Sequence, residues 1–342
     1  MRTRTKAALW GALLVATVAG AGIAIGHFSG GYARFAALAG TVGFRQWLVL
    51  ALATALFYVF DYWRMSTLFA LQGIRIGPAL GFRLTCVSYF VSSLTPTSEL
   101  NIPALVFMLR REGIAITSAV PALVVKVMYI TFWLCAFGFA GLLLRADVHL
   151  PPMLAEHVVV LVAPTVFLLA AFAYVVFFPQ QVLRWTAQRL GGESAPGWKG
   201  RFLAGLHRSV AAVSALGRST DRMHLLSHLS CIGFLAAYIF IGAYLCRALG
   251  VPMPADKAVC VFSVSLLIAY ISPVPGSIGV SELLTNYLID PAMTENGMVA
   301  SSLLRFLCSY LLMIPGAIIL LDAMRAAGWR QLQRKWQGAS HD

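Results

Sequence analysis

A break rich in proline, glycine and serine, carrying one carboxylate, interrupts apolar sequence over Tyr270–Leu284 (YISPVPGSIGVSELL). Pro273 and Pro275 lack a backbone donor and disfavour helix in the residue before each. Gly276 and Gly279 permit a turn or a close backbone approach. Peptide groups freed by such a break cannot face lipid, so the segment must be buried in protein or line a polar cavity. With the hydroxyls of Ser272 and Ser281 and the carboxylate of Glu282, it offers amide donors, small polar groups and an acid, which is the chemistry of an ion or head-group site. An ionisable side chain at such depth is a functional hypothesis by default. The plainer account is a short loop between two ordinary spans with Glu282 at the water interface, and the residues alone leave both accounts standing.

A second break has the same ingredients. Thr95, Glu99 and Asn101 fall within Leu94–Pro103, which interrupts an apolar stretch closed by Arg110 and Arg111. Thr95-Pro96 precedes Ser98-Glu99-Leu100, as Ser272-Pro273 precedes Ser281-Glu282-Leu283. An apolar run with one cation follows each: Lys126 lies 27 residues after Glu99, and Arg305 lies 23 after Glu282. Lys126 and Arg305 would offer positive charge to an anionic head group, with Glu99 and Glu282 balancing or exchanging with them. Asp61 and Arg64, three apart and therefore on one helical face, read as an intrahelical pair near the end of their span, with a substrate role for Arg64 as the alternative. His224 and His228 are spaced i, i+4 without an accompanying carboxylate motif, so no metal site is expected there.

These groups need elements to hold them. The 342 residues are 59% hydrophobic and 11% charged, with a mean hydropathy of +0.79, which predicts an all-α polytopic membrane protein. The net charge of +13 reads as topology and anionic-lipid contact, not nucleic-acid binding. The six cysteines lie in apolar segments without CxxC spacing and read as packing residues. About six full transmembrane helices are expected, near residues 7–25, 47–71, 119–144, 157–178, 225–249 and 298–323, with two broken re-entrant hairpins over 84–109 and 258–290. The first run reads as an uncleaved helix, because so many spans follow it. The whole chain, 1–342, is then one membrane domain. Its halves, 7–144 and 157–323, share one plan entered from opposite sides, an inverted repeat.

Between the halves, residues 179–223 hold seven basic side chains from Arg184 to Arg222. Phe202, Leu203, Leu206, Val210 and Val213 recur at helical spacing within them, which predicts a cytoplasmic basic amphipathic connector on the membrane surface. In this layout nineteen of the 26 basic residues lie inside and five (Arg34, Arg45, Arg145, Arg247, Lys257) lie outside. That bias places both termini in the cytoplasm of a bacterial-type inner (plasma) membrane.

The segment Ser272-Pro273-Val274-Pro275-Gly276-Ser277-Ile278-Gly279-Val280-Ser281-Glu282 resembles the SPGGxGVxE signature of the lysylphosphatidylglycerol synthase transmembrane-domain family, the flippase-like integral membrane proteins. Arg305, Tyr310 and Pro315-Gly316 resemble its last helix, and Thr95-Pro96 through Leu109-Arg110-Arg111-Glu112-Gly113-Ile114 resembles its first-half motif. That first motif departs from the family pattern: Leu105 stands where an arginine would fall, and Lys126 is the candidate replacement for its charge. The chain ends 19 residues after Ala323, leaving no room for the soluble synthase domain. The resemblance therefore implies lipid translocation or handling without synthesis.

The expected function is a lipid transporter or flippase-like protein for an anionic, polyprenyl-linked or glycolipid substrate. The expected substrate-binding residues are Thr95, Glu99, Asn101, Lys126, Ser272, Pro273, Pro275, Gly276, Gly279, Ser281, Glu282, Arg305 and Tyr310. An accessory subunit of a lipid or envelope-glycan pathway, with a glycosyltransferase partner, is the alternative. A membrane-embedded lipid-phosphate enzyme is disfavoured, since the chain has no HExxH, no clustered metal ligands and no Ser-His-Asp pattern. No cofactor is expected.

Overall fold

The computed structural model describes residues 32–95, 101–144, 152–190, 198–272, 274 and 277–339. All its regular elements are helical. The expected first span, and Glu99, Pro273, Pro275 and Gly276 among the candidate site residues, lie outside the described residues.

A short helix α1 (Tyr32–Gly40) leads into α2 (Phe44–Ala70). The first hairpin follows as α3 (Pro78–Leu94) and α4 (Ile102–Arg111), then the long α5 (Ile116–Leu144). Helix α3 starts with Gly77 at its cap and Pro78 in its first turn, where a missing backbone donor costs nothing. Helix α6 (Pro152–Phe177) meets α7 (Pro179–Leu190) at a 99° bend, placed by Pro179 at the start of the new helix. With α8 (Trp198–Gly217), α7 makes up the basic connector. Leu203, Val210, Val213 and Leu216 of α8 are buried where it packs on α5 and α6.

The second half comprises α9 (Arg222–Ala248), the hairpin α10 (Ala255–Ile271) and α11 (Val280–Ile289), then α12 (Glu295–Cys308) and α13 (Met313–Ala339). Asp221 caps α9 by accepting from Met223 N at 2.7 Å, and the Thr294 hydroxyl caps α12 by accepting from Gly297 N. The last apolar run, expected as one helix, is divided at Ser309 (φ −138°, ψ −56°) by a 3-10 turn over Tyr310–Leu312. Pro315 explains the division, because it can neither donate to the Leu311 carbonyl nor let the helix pass it without a clash.

Among the described residues four stretches are long and apolar enough to cross a membrane (Phe44–Ala70, Ile116–Leu143, Arg222–Ala248 and Glu295–Ala326), and a fifth if the bent α6–α7 pair counts as one. The core is built from α2 packed on α9, α5 on α10, and α3 on α13. Two of these crossings bring a glycine against the neighbouring backbone. A Cβ on Gly141 of α5 would stand 2.6 Å from Cys260 Cα of α10, and one on Gly316 of α13 would overlap the Cys86 carbonyl oxygen of α3. Small residues at such crossings let the backbones close up where no water-driven force assembles helices.

Candidate functional site

Helix α2 carries Asp61 and Arg64 on one face, as three-residue spacing requires. Both are buried, at 1% and 5% exposure. The Asp61 carboxylate oxygen Oδ1 accepts from Arg64 Nε and Nη2, each at 2.6 Å, and stands 3.4 Å from Lys126 Nζ on α5. The remaining guanidinium nitrogen, Arg64 Nη1, is buried and makes no hydrogen bond to any described residue. The Arg64 guanidinium also lies over the Phe234 ring of α9, 4.3 Å from its centroid, and Phe234 stacks on Phe57 at 4.4 Å. The pair foreseen as a local feature near a helix end is therefore part of a buried triad shared by two helices, with a ring of a third against it.

The triad lines a cavity of about 80 Å³. Its other polar walls are Ser88, Tyr89, Ser92 and Ser93 of α3, Asn101 at the foot of α4, Tyr238 of α9, Tyr270 of α10, and Arg305 with Ser309 where α12 ends. Asn101 Nδ2 donates to both Ser88 Oγ and Ser92 Oγ at 2.8 Å, tying the two arms of the first hairpin together. Three cations and one carboxylate among the lining residues give a formal charge of +2. Each ion costs about 2.5–3.5 kcal/mol at the centre of a membrane helix on insertion scales, which makes four in one place a candidate functional site. At about 10–15 Å³ per water, the cavity has room for a small anionic group and not for a bulky glycan.

A second cluster adjoins it through Arg305. Glu282, 1% exposed, sits in the first turn of α11, whose cap Gly279 has φ +82°, a conformation that glycine adopts without strain. Glu282 Oε2 accepts from Gly279 N at 2.9 Å, and Oε1 accepts from Tyr310 OH at 2.7 Å. The Arg305 guanidinium carbon is 5.8 Å from the Tyr310 ring centroid. Tyr310 thus stands between the acid and the base. Glu282 closes a helix N-terminus, where negative charge is favoured.

Of the expected site residues, Asn101, Lys126 and Arg305 line the cavity. Gly279, Glu282 and Tyr310 form the adjoining cluster. Ser281 and Ser272 belong to the second hairpin; Ser281 is buried and gives its carbonyl to Thr285, while Ser272 Oγ accepts from Val274 N at 3.3 Å. Thr95 ends α3 by donating its hydroxyl back to Val91 O. Residue types alone did not single out Tyr89, Tyr238, Tyr270 or the α3 serines. The i, i+4 spacing of Ser88 and Ser92 is the one signal that marked a polar stripe on α3. His224 and His228 join a hydrogen-bonded chain between helices: Trp133 Nε1 donates to His228 Nδ1 at 3.1 Å, the two Nε2 atoms are 3.2 Å apart, and His224 Nδ1 is 3.1 Å from Leu216 O. Among the described residues no group of three or more His, Cys, Asp or Glu is placed to hold a metal ion.

A family model described as the lysylphosphatidylglycerol synthase TM region matches residues 9–316. No curated protein and no solved structure matches the chain. The helices from α1 to α12, both hairpins, Arg305 and Tyr310 all fall within the matched span, and the chain belongs to the lysylphosphatidylglycerol synthase transmembrane-region family of lipid-handling membrane proteins.

Proposed function

We propose that this protein is a flippase-type lipid transporter, not an enzyme, and that the phosphate of an anionic, polyprenyl-linked or glycolipid substrate enters the cavity while its chains stay in the bilayer and any glycan stays outside the cavity. The observation that carries the reading is the convergence of Arg64, Lys126 and Arg305 on one small polar cavity walled by apolar helices. Guanidinium and ammonium donors are matched to phosphate oxygens. Asn101, the serines and the tyrosines supply neutral partners at the same walls.

Depth supports it. Asp61 is nine residues from the end of α2, Lys126 ten from the start of α5, and Arg305 ten from the start of α12, about 14–15 Å each at 1.5 Å per residue. Half of a hydrocarbon core about 30 Å thick is the same length, which supports a cavity near the midplane, where transporters of this kind bind.

An inverted repeat supports it further. Exchanging α2 with α9, α3 with α10, α4 with α11 and α5 with α12–α13 turns the packing of α3 on α13 into that of α10 on α5. Each of those crossings sets a glycine against a cysteine, Gly316 with Cys86 and Gly141 with Cys260. The arginine-rich connector and both termini face the cytoplasm of the inner membrane in this reading.

Purified protein in liposomes tests the function. Exchange of a fluorescent anionic phospholipid between leaflets, with no new lipid product, is the expected result. A new product in place of exchange would make the protein an enzyme. Co-purification of a glycosyltransferase without exchange would make it an accessory subunit.

A further inference from the structure

We propose that Asp61 is an internal stand-in for the substrate's phosphate, occupying the cavity's anion position until a lipid displaces it. The inference rests on the cavity being a phosphate-lipid site. Oδ1 of Asp61 takes two Arg64 donors at 2.6 Å each and lies 3.4 Å from Lys126 Nζ, the arrangement a phosphate oxygen would adopt between the same cations. Arg64 Nη1 meanwhile stays buried without a hydrogen bond to any described residue, although buried guanidinium donors are ordinarily satisfied. A carboxylate held by one helix cannot reach all the donors, whereas a phosphate, with two free oxygens in a diester or three in a monoester, can take Nη1 and Lys126 together.

The physical role follows. A cavity left with its three lining cations alone would hold an anion too tightly to release it, and a transporter must let its cargo leave. Asp61 competes with the head group, weakens its binding, and re-pairs with Arg64 and Lys126 as the lipid departs, so that neither cation is left uncompensated. It is a positioning and specificity-determining residue, and its removal tightens binding while it slows transport. Loss of a merely structural ion pair would weaken both.

The full chain in detergent is titrated with dodecyl phosphate and, separately, with inorganic phosphate, and transfer of fluorescent phosphatidylglycerol is followed in liposomes. Asp61→Asn is expected to bind dodecyl phosphate about tenfold more tightly or better, within the usual 5–150-fold range of coupled interactions, and to transfer lipid more slowly. Asp61→Glu, which keeps the competing charge, is expected not to show the tighter binding. A gain confined to dodecyl phosphate assigns the position to a lipid head group; an equal gain with inorganic phosphate assigns it to the free ion.

If Arg64→Gln and Lys126→Gln abolish binding while Asp61→Asn leaves it unchanged or weaker, the stand-in role is wrong and the cavity reading survives. If Arg64→Gln and Lys126→Gln leave binding intact, both fall. Should Asp61→Asn not fold, wild-type protein is labelled with dicyclohexylcarbodiimide: dodecyl phosphate should speed modification of a displaced Asp61, and protection or no change overturns the proposal.

Discussion

Breaking the triad from its two cationic sides should give unequal costs, and the geometry sets their order. Lys126 Nζ stands 3.4 Å from Asp61 Oδ1, worth about 5 kcal/mol of attraction at an effective dielectric of about 20. Burying the ammonium costs several kcal/mol in return, and Arg64 remains as a counter-ion, so Lys126→Gln should destabilise by only about 1–2 kcal/mol. Arg64→Gln removes both donors at 2.6 Å and leaves a carboxylate that is 1% exposed with one cation at longer range. That loss belongs to the class of broken buried pairs, about 3–5 kcal/mol. Thermal unfolding of the purified variants in one detergent measures the order. Asp61→Asn with Arg64→Gln should cost less than the sum of its singles, because the two side chains act as one pair. Lys126→Gln proving as costly as Arg64→Gln, or the double variant proving the sum of its singles, would refute the idea that Arg64 is the principal partner of Asp61.

The adjoining cluster predicts that Tyr310→Phe, which removes one of two donors to buried Glu282, costs about 1.5–3 kcal/mol as a lost hydrogen bond to a charged group. Glu282→Gln and Arg305→Gln should each abolish lipid movement with membrane insertion intact, and the double variant should be no worse; full activity in both single variants would reduce the cluster to helix punctuation. Gly141→Leu and Gly316→Leu should each prevent close packing, since a Cβ already meets the neighbouring backbone, and are read as loss of folded protein on size-exclusion chromatography; normal yields would mean the helices cross further apart. A Ser194→Cys variant in intact cells should resist an impermeant thiol reagent, and ready labelling would invert the proposed topology.

Much was settled by local chemistry. Apolar runs bounded by arginines fix where helices enter and leave a membrane, because the cost of a charge or an unpaired peptide in lipid is paid residue by residue and needs no knowledge of neighbours. Hence Phe44–Ala70, Ile116–Leu144 and Arg222–Ala248 lie within a few residues of their expected bounds, and the hairpins break at Thr95 and Ser272 as proline demands. The signature from Ser272 to Glu282 pointed to the family by the same local logic. The division at Ser309 was written only faintly, in Pro315, because a proline can end a helix, kink it or begin a new one, and packing chooses among these.

The cavity was decided by tertiary structure. Asp61 and Lys126 are 65 residues apart, and nothing in either helix says that their faces meet; α2 and α5 bring them together only because both pack in one core. Sequence placed a cation in the run after each break, yet Glu282 found Tyr310 and its own helix cap, since a side chain's partner depends on which way each helix is turned. Helical spacing fixes the relative angles of residues on one element, whereas the rotation of that element against its neighbours is set by side chains distributed over the whole fold.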